Sequence, residues 1–217
     1  MRPTPAPPCA PSGEDGRPPI GGRQLDAREA ALTLFAERGY HGTTMNDIAR
    51  ALGIRAPSLY NHVRSKQDIL REIMVSTTKA LMAGYERATA GTDDPEAALR
   101  RAIEDFVRHH AGHHREALIG NREMSSLDEG TRAWVAAQRR AYAEGICGLI
   151  ERGRARGSFD TSSPRLAAFA MLEMGVSVAR WFRGDGRLSA DEIAAEYAEL
   201  AVRMVGGAMT DAAERGA

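Results

Sequence analysis

Ser58, Tyr60, Asn61 and His62 crowd polar chemistry into a few residues. A hydroxyl, a phenol, an amide and an imidazole on one short helix suit hydrogen bonding to base edges and phosphates. A second group is His109, His110, His113 and His114. On a helix, His109/His113 and His110/His114 are i, i+4 pairs, which is metal-ligand spacing. Yet Gly112 weakens the helix there, no His-Glu-x-x-His pattern is present, and no cysteine or clear carboxylate completes a site. A helical metal-binding module on these four histidines stays as an alternative to a helix end near a ligand cavity. For catalysis the chain offers no Gly-x-Ser-x-Gly, no P-loop, no dinucleotide-binding glycines and no paired cysteines. No catalytic residue, metal or cofactor is expected, and the chain does not read as an enzyme.

The polar quartet sits in residues 43–66, which read as helix, tight turn and second short helix. Thr44 is placed to cap the first helix by accepting from one of the N–H groups of residues 45–47. Ile48, Ala49 and Leu52 form one apolar face. Gly53 ends that helix, because glycine takes a left-handed backbone without strain. Pro57 opens the next helix, where a missing N–H does no harm. That helix is expected over about 57–63, with Leu59 and Val63 turned inward.

The flanks supply the support. Residues 1–22 hold most of the ten prolines and read as a disordered tail, because they bury too little to offset ordering entropy. The sharper alternative is an arm that reaches a DNA groove with Arg17 and Arg23. A helix over 24–39 carries Leu25, Ala31, Leu32, Phe35 and Ala36, and Gly39 stops it. Ser65 caps a long helix to about residue 88. Asp94 and Pro95 open another, bearing Leu99, Ile103, Phe106 and Val107. A short helix over about 114–125 and a long one from Thr131 to about Arg156 follow. Residues 164–183 are apolar nearly all round, and Ser189 with Glu192 forms a capping box for a last helix over 189–208. The fold class is all-α, with about nine helices and no convincing strand.

Composition sets limits. The chain has 217 residues, enough for one large or two small domains, and 43% are hydrophobic. Its formal net charge is zero, so a DNA-binding role must rest on local arrangement. Cys9 and Cys147 lie in unlike contexts, so a structural disulfide is not expected and a reducing cytoplasm is the default. No apolar run is long enough to span a bilayer, so no membrane partner is expected.

Thr-x-x-Asp-Ile-Ala-x-x-Leu-Gly-Ile, then Ser-Leu-Tyr-x-His-Val-x-Ser-Lys, resembles the helix-turn-helix of TetR-family regulators. The likeness spans about 45 residues and includes the preceding helix. Two departures stand out: Val63 where such chains often have Phe, and Pro57 where a small residue is usual. Pro57 would alter the angle or reach of the reading helix.

The resemblance implies phosphate contacts from Thr44, Tyr60 and Lys66, and a groove-facing set of Arg55, Ala56, Ser58, Asn61 and His62. It implies a head over 23–68, and an effector-binding and dimerisation domain over 69–217. It also implies a homodimer on a palindromic operator in double-stranded DNA. The apolar helix 164–183 needs burial on every side, and pairing with a twin through 164–183 and 189–208 provides it. An effector would release a repressor by changing the spacing of its two heads.

The effector cavity is expected within 95–183. Candidate lining residues are Phe106, Leu118, Met124, Trp134, Tyr142, Met171, Met174 and Trp181. Residues 114–128, the Arg-rich helix after them and Ala179-Arg-Trp-Phe-Arg look similar to one TetR branch. That branch governs lipid and sterol breakdown and binds acyl-CoA thioesters. Arg115, Arg122, Arg139, Arg140 and Arg180 would then meet phosphates or a carboxylate. A drug-like inducer of an efflux gene is the alternative.

Overall fold

The computed structural model describes residues 20–206. Among them are nine α-helices, one short 3₁₀ turn and no strand. The helices are α1 (Ile20–Arg38), α2 (Met45–Ala51), α3 (Ala56–Tyr60), α4 (Lys66–Thr89), α5 (Pro95–Gly112), α6 (His114–Arg122), α7 (Glu129–Ala155), α8 (Pro164–Trp181) and α9 (Ala190–Met204). No helix among the described residues is long and apolar enough to cross a membrane.

Local chemistry sets most boundaries. Thr44 accepts from the Asp47 N–H, and Asp47 returns the bond to the Thr44 N–H, a complete capping box. Ser189 and Glu192 repeat the device at α9. Asp94 caps α5 in front of Pro95. Gly53 follows α2 with φ +66°, the left-handed region in which a side chain would be strained.

Several boundaries differ from expectation: α6 ends at Arg122, not near residue 125, α8 at Trp181, not at residue 183, and α9 at Met204, not at residue 208. The first helix begins at Ile20, so residues 20–22 are helical; residues 1–19, including Cys9 and Arg17, lie outside the described set, as does the Arg23 side chain. Helix α3 ends at Tyr60, not at residue 63, and Leu59 and Val63 still turn inward. Helix α7 starts at Glu129, two residues early, because Asp128 accepts from the Thr131 N–H and takes the cap position.

Two apolar cores result. The first joins Leu32, Phe35, Ile48, Leu59, Ile69, Leu70, Ile73 and Met74 with Ile119, Leu127 and Val135 from further along the chain. The second joins Leu99, Ile103, Phe106, Tyr142, Ile146, Met171, Val178 and Ala198. Helix α5 is central to the second, packing on α4, α7, α8 and most extensively α9. At the α5–α8 crossing, Gly175 lets the Phe106 ring approach so closely that a Cβ would sit 2.6 Å from it. Helix α8 was expected to be buried all round. Within the chain it buries Ala167, Ala168, Met171, Gly175, Val178 and Ala179, and leaves Leu166, Phe169 and Trp181 exposed.

Candidate nucleic-acid interface and ligand cavity

The short α3 presents its outer face without internal partners. Tyr60 is 52% exposed, which is unusual for a large aromatic ring. Arg55, Pro57 and Asn61 are exposed, and Ser58 and His62 half-buried. Ala56 packs partly against the head core, so it offers less to a groove than its neighbours. The proline ring at the start of α3 lies on the exposed side.

Thr44 and Lys66 are both engaged inside the chain. The Thr44 hydroxyl and N–H are closed onto the Asp47 carboxylate, and these bonds hold that carboxyl below the usual range. The Lys66 ammonium donates to the carbonyls of Tyr40 and Thr43, each at 2.7 Å, and sits 4.1 Å from the Tyr40 ring centre. Lys66 therefore clips the α1–α2 loop to the start of α4. Its partial burial lowers its pKa, with Glu123 opposing that shift. Tyr40 completes the clip by donating its hydroxyl to Gln67 at 2.8 Å.

Behind the head lies a cavity of about 560 Å³ between α4, α5, α6, α7 and α8. Its inner wall is buried and mostly apolar: Met74, Thr78, Phe106, Ala117 and Tyr142, with His110 among them. Its rim is charged. Arg139, Arg140 and Arg180 are exposed there, and none has a carboxylate within 4 Å among the described residues. Arg139 donates to the carbonyl of Gly120 at 2.9 Å, so it rests on α6. Glu116 and Glu173 also line the rim.

The histidine cluster belongs to this cavity. His109 and His110 line it, and burial pulls both down to about 4, so both rings are neutral at pH 7. The His110 Nδ1–H donates to the Phe106 carbonyl at 2.8 Å. His109 and His113 stack face to face at 4.4 Å, which points their ring nitrogens past each other instead of toward a shared ion. Among the described residues no three His, Cys, Asp or Glu side chains could hold a metal.

Of the expected lining residues, Phe106, Tyr142 and Arg180 are brought together here. Leu118, Arg122, Met124, Trp134, Met174 and Trp181 lie off the cavity wall, and Met171 is buried in the body core. Met124 and Trp134 pack against the head core, because α7 enters that layer before it reaches the body. Arg122 is exposed at the end of α6. Trp181 stacks with Tyr197 at 6.5 Å on the outer side of α8 and α9. Arg115 bonds Thr33 and Glu29 of α1. Thr77, Thr78, Leu81 and Met82 on α4 were not anticipated; their signal is a small polar pair between apolar neighbours on one helical face.

Residues 28–73 match the family described as bacterial regulatory proteins, tetR family. Residues 92–205 match the tetracyclin repressor-like C-terminal domain. The chain is 31% identical to the HTH-type transcriptional repressor KstR2 of Rhodococcus jostii, over 82% of this chain and 89% of that one. A solved regulatory protein of the tetR family from Rhodococcus RHA1 superposes with a TM-score of 0.78 at 31% identity, covering 86% of this chain and 98% of that chain. AibR, solved in complex with isovaleryl coenzyme A and operator DNA, superposes with a TM-score of 0.73 at 26% identity over 82% of this chain and 97% of its own.

Proposed function

The chain belongs to the TetR family of bacterial regulatory proteins, and from that premise we propose that an acyl-CoA thioester releases it, as a homodimer, from a palindromic operator. It is a helix-turn-helix DNA-binding transcriptional repressor. One observation carries the effector reading: a buried apolar pocket capped by an exposed rim of three arginines without carboxylate partners. An acyl group fits the inner wall, and the phosphates of coenzyme A suit the rim. A hydrophobic drug would fill the inner wall and leave the rim arginines unused. AibR, whose structure holds both isovaleryl coenzyme A and operator DNA, supports the same reading.

DNA contact is proposed for Thr44, Arg55, Ala56, Pro57, Ser58, Tyr60, Asn61, His62 and Lys66. For Thr44 and Lys66 it runs through helix-start backbone N–H groups as much as through side chains. Effector contact is proposed for Phe106, Tyr142 and Arg180, with Arg139 and Arg140 added. The head is 23–68 and the body 69–217, with the first turns of α4 packed in the head core. The exposed Leu166 and Phe169 of α8, and Leu200 and Met204 of α9, support a twin packed on those two helices. The chain itself catalyses nothing in this reading, and it works in the cytoplasm, where operator DNA is.

The test is a gel shift on the promoter of its own or a neighbouring gene, across a salt series, with octanoyl-CoA added. Salt-sensitive binding that the thioester reverses is expected. The effector reading falls if acyl-CoAs of every chain length leave the shift intact. Arg139→Ala together with Arg180→Ala should bind DNA normally and respond to the thioester several-fold more weakly.

A further inference from the structure

Tyr142 is 5% exposed, lines the cavity, and its hydroxyl has no hydrogen-bond partner among the described residues. Buried hydroxyls in folded proteins are paired in the large majority of cases. Phe106 and Tyr85 pack against its ring, each with a ring centre 5.1 Å away, and leave it little room to swing toward water. His109 repeats the pattern: its Nε2 is buried, lines the same cavity and is unpartnered. Two polar atoms on the mostly apolar inner wall are thus without a partner among the described residues.

We propose that the effector's acyl portion carries an uncharged oxygen, a ketone or hydroxyl distant from the thioester, that bonds the Tyr142 hydroxyl and His109 Nε2. This rests on the acyl-CoA reading and narrows it to oxygenated acyl groups. A saturated chain would leave both atoms unpaired under an apolar cover, so it is the poorer ligand. A terminal carboxylate is also disfavoured. Burial holds the Tyr142 phenol protonated and keeps His109 and His110 uncharged, so the inner wall offers no cation. The Asp105 carboxylate near Tyr142 adds like-charge repulsion. The same logic lets a site that bonds an oxygen reject the analogue lacking it.

The experiment is calorimetric titration of the full chain with matched pairs: 5-oxohexanoyl-, 7-oxooctanoyl- and 9-oxodecanoyl-CoA against their saturated parents, with suberyl-CoA as the carboxylate probe. For at least one length the oxo ligand should bind about tenfold more tightly than its parent. Tyr142→Phe, which removes only the hydroxyl, should shrink that ratio to within about twofold, chiefly by weakening the oxo ligand. Equal binding of oxo and saturated ligands at every length overturns this inference alone. So does a preference that survives both Tyr142→Phe and His109→Leu, or tightest binding by suberyl-CoA. Binding of no CoA thioester at all overturns the acyl-CoA reading and this inference with it.

Discussion

The Glu123 carboxylate accepts the Tyr40 backbone N–H at 3.1 Å, across 83 residues of chain. It lies just past the end of α6, the helix whose Ala117, Gly120 and Asn121 line the cavity. Its other oxygen accepts from the Ser126 hydroxyl at 2.8 Å, and Glu123 is only 8% exposed. Tyr40 in turn lies under Lys66 at the head's clip. Helix α6, which lines the cavity, and the α1–α2 loop are therefore tied by one hydrogen bond.

Removing that bond should loosen the head. Glu123→Ala leaves a buried N–H unpaired, which costs about 1–3 kcal/mol. Urea denaturation should report a loss in that range. Operator binding should weaken, and acyl-CoA binding should change less. Glu123→Ala with unchanged DNA affinity would mean the bond does not position the head.

Tyr60 and Lys66 separate recognition from stability. Tyr60→Ala removes an exposed ring, so the melting temperature should stay within a degree or two, while operator affinity drops about tenfold. Lys66→Ala should lower both, because the ammonium ties two loop carbonyls. A Tyr60→Ala protein that binds the operator at full strength would remove Tyr60 from the interface.

The dimer surface can be tested by charge. Leu166 is 69% exposed and Leu200 46% exposed in the single chain. Leu166→Glu with Leu200→Glu should keep the fold and halve the mass seen in sedimentation. Operator binding should go with it, since one head reads only half a palindrome. Persistence of the dimer would place the twin on another face.

Acid should destabilise through His109 and His110. Both have folded values near 4 against an ordinary 6.5, so the unfolded chain binds more protons below pH 6.5. Stability is then fully present above about 6.5 and falls as pH drops toward 4. His110, the more deeply buried ring, contributes at most about 3 kcal/mol over that window, and the partly exposed His109 contributes less because water screens it. His110→Leu should flatten the slope by about one proton between pH 6.5 and 4, measured by denaturation at several pH values. An unchanged slope would show that His110 is protonated in the folded chain.

The reading head was legible because its instructions are local. Thr44 with Asp47, Gly53, Pro57 and Ser65 each act within four residues, so spacing alone places most of the helix ends. The length of α3 was less legible, since past Tyr60 the chain turns through Asn61 and keeps only the inward register of Val63. The cavity was harder still. Trp134 and Tyr142 sit on the same helix and look alike as large apolar candidates. Which core each one meets depends on where α7 crosses the head, and periodicity carries no such information. Nothing in the spacing around Glu123 singles out Tyr40 as its partner, and only the fold brings the two together.

Helix α4 runs unbroken for 24 residues, from the Lys66 clip past Met74, Thr77, Thr78, Leu81 and Met82 on the cavity wall. It can be treated as a beam about 36 Å long. A beam turned by ~5° about its far end moves its near end by roughly 3 Å. Two such beams in a symmetric pair would shift their heads by up to twice that, against a half-site spacing of about 34 Å. A mismatch of that size spoils simultaneous seating in two grooves. On this geometry a small displacement at the cavity wall would be enlarged at the heads, so release from DNA would need no helix to melt.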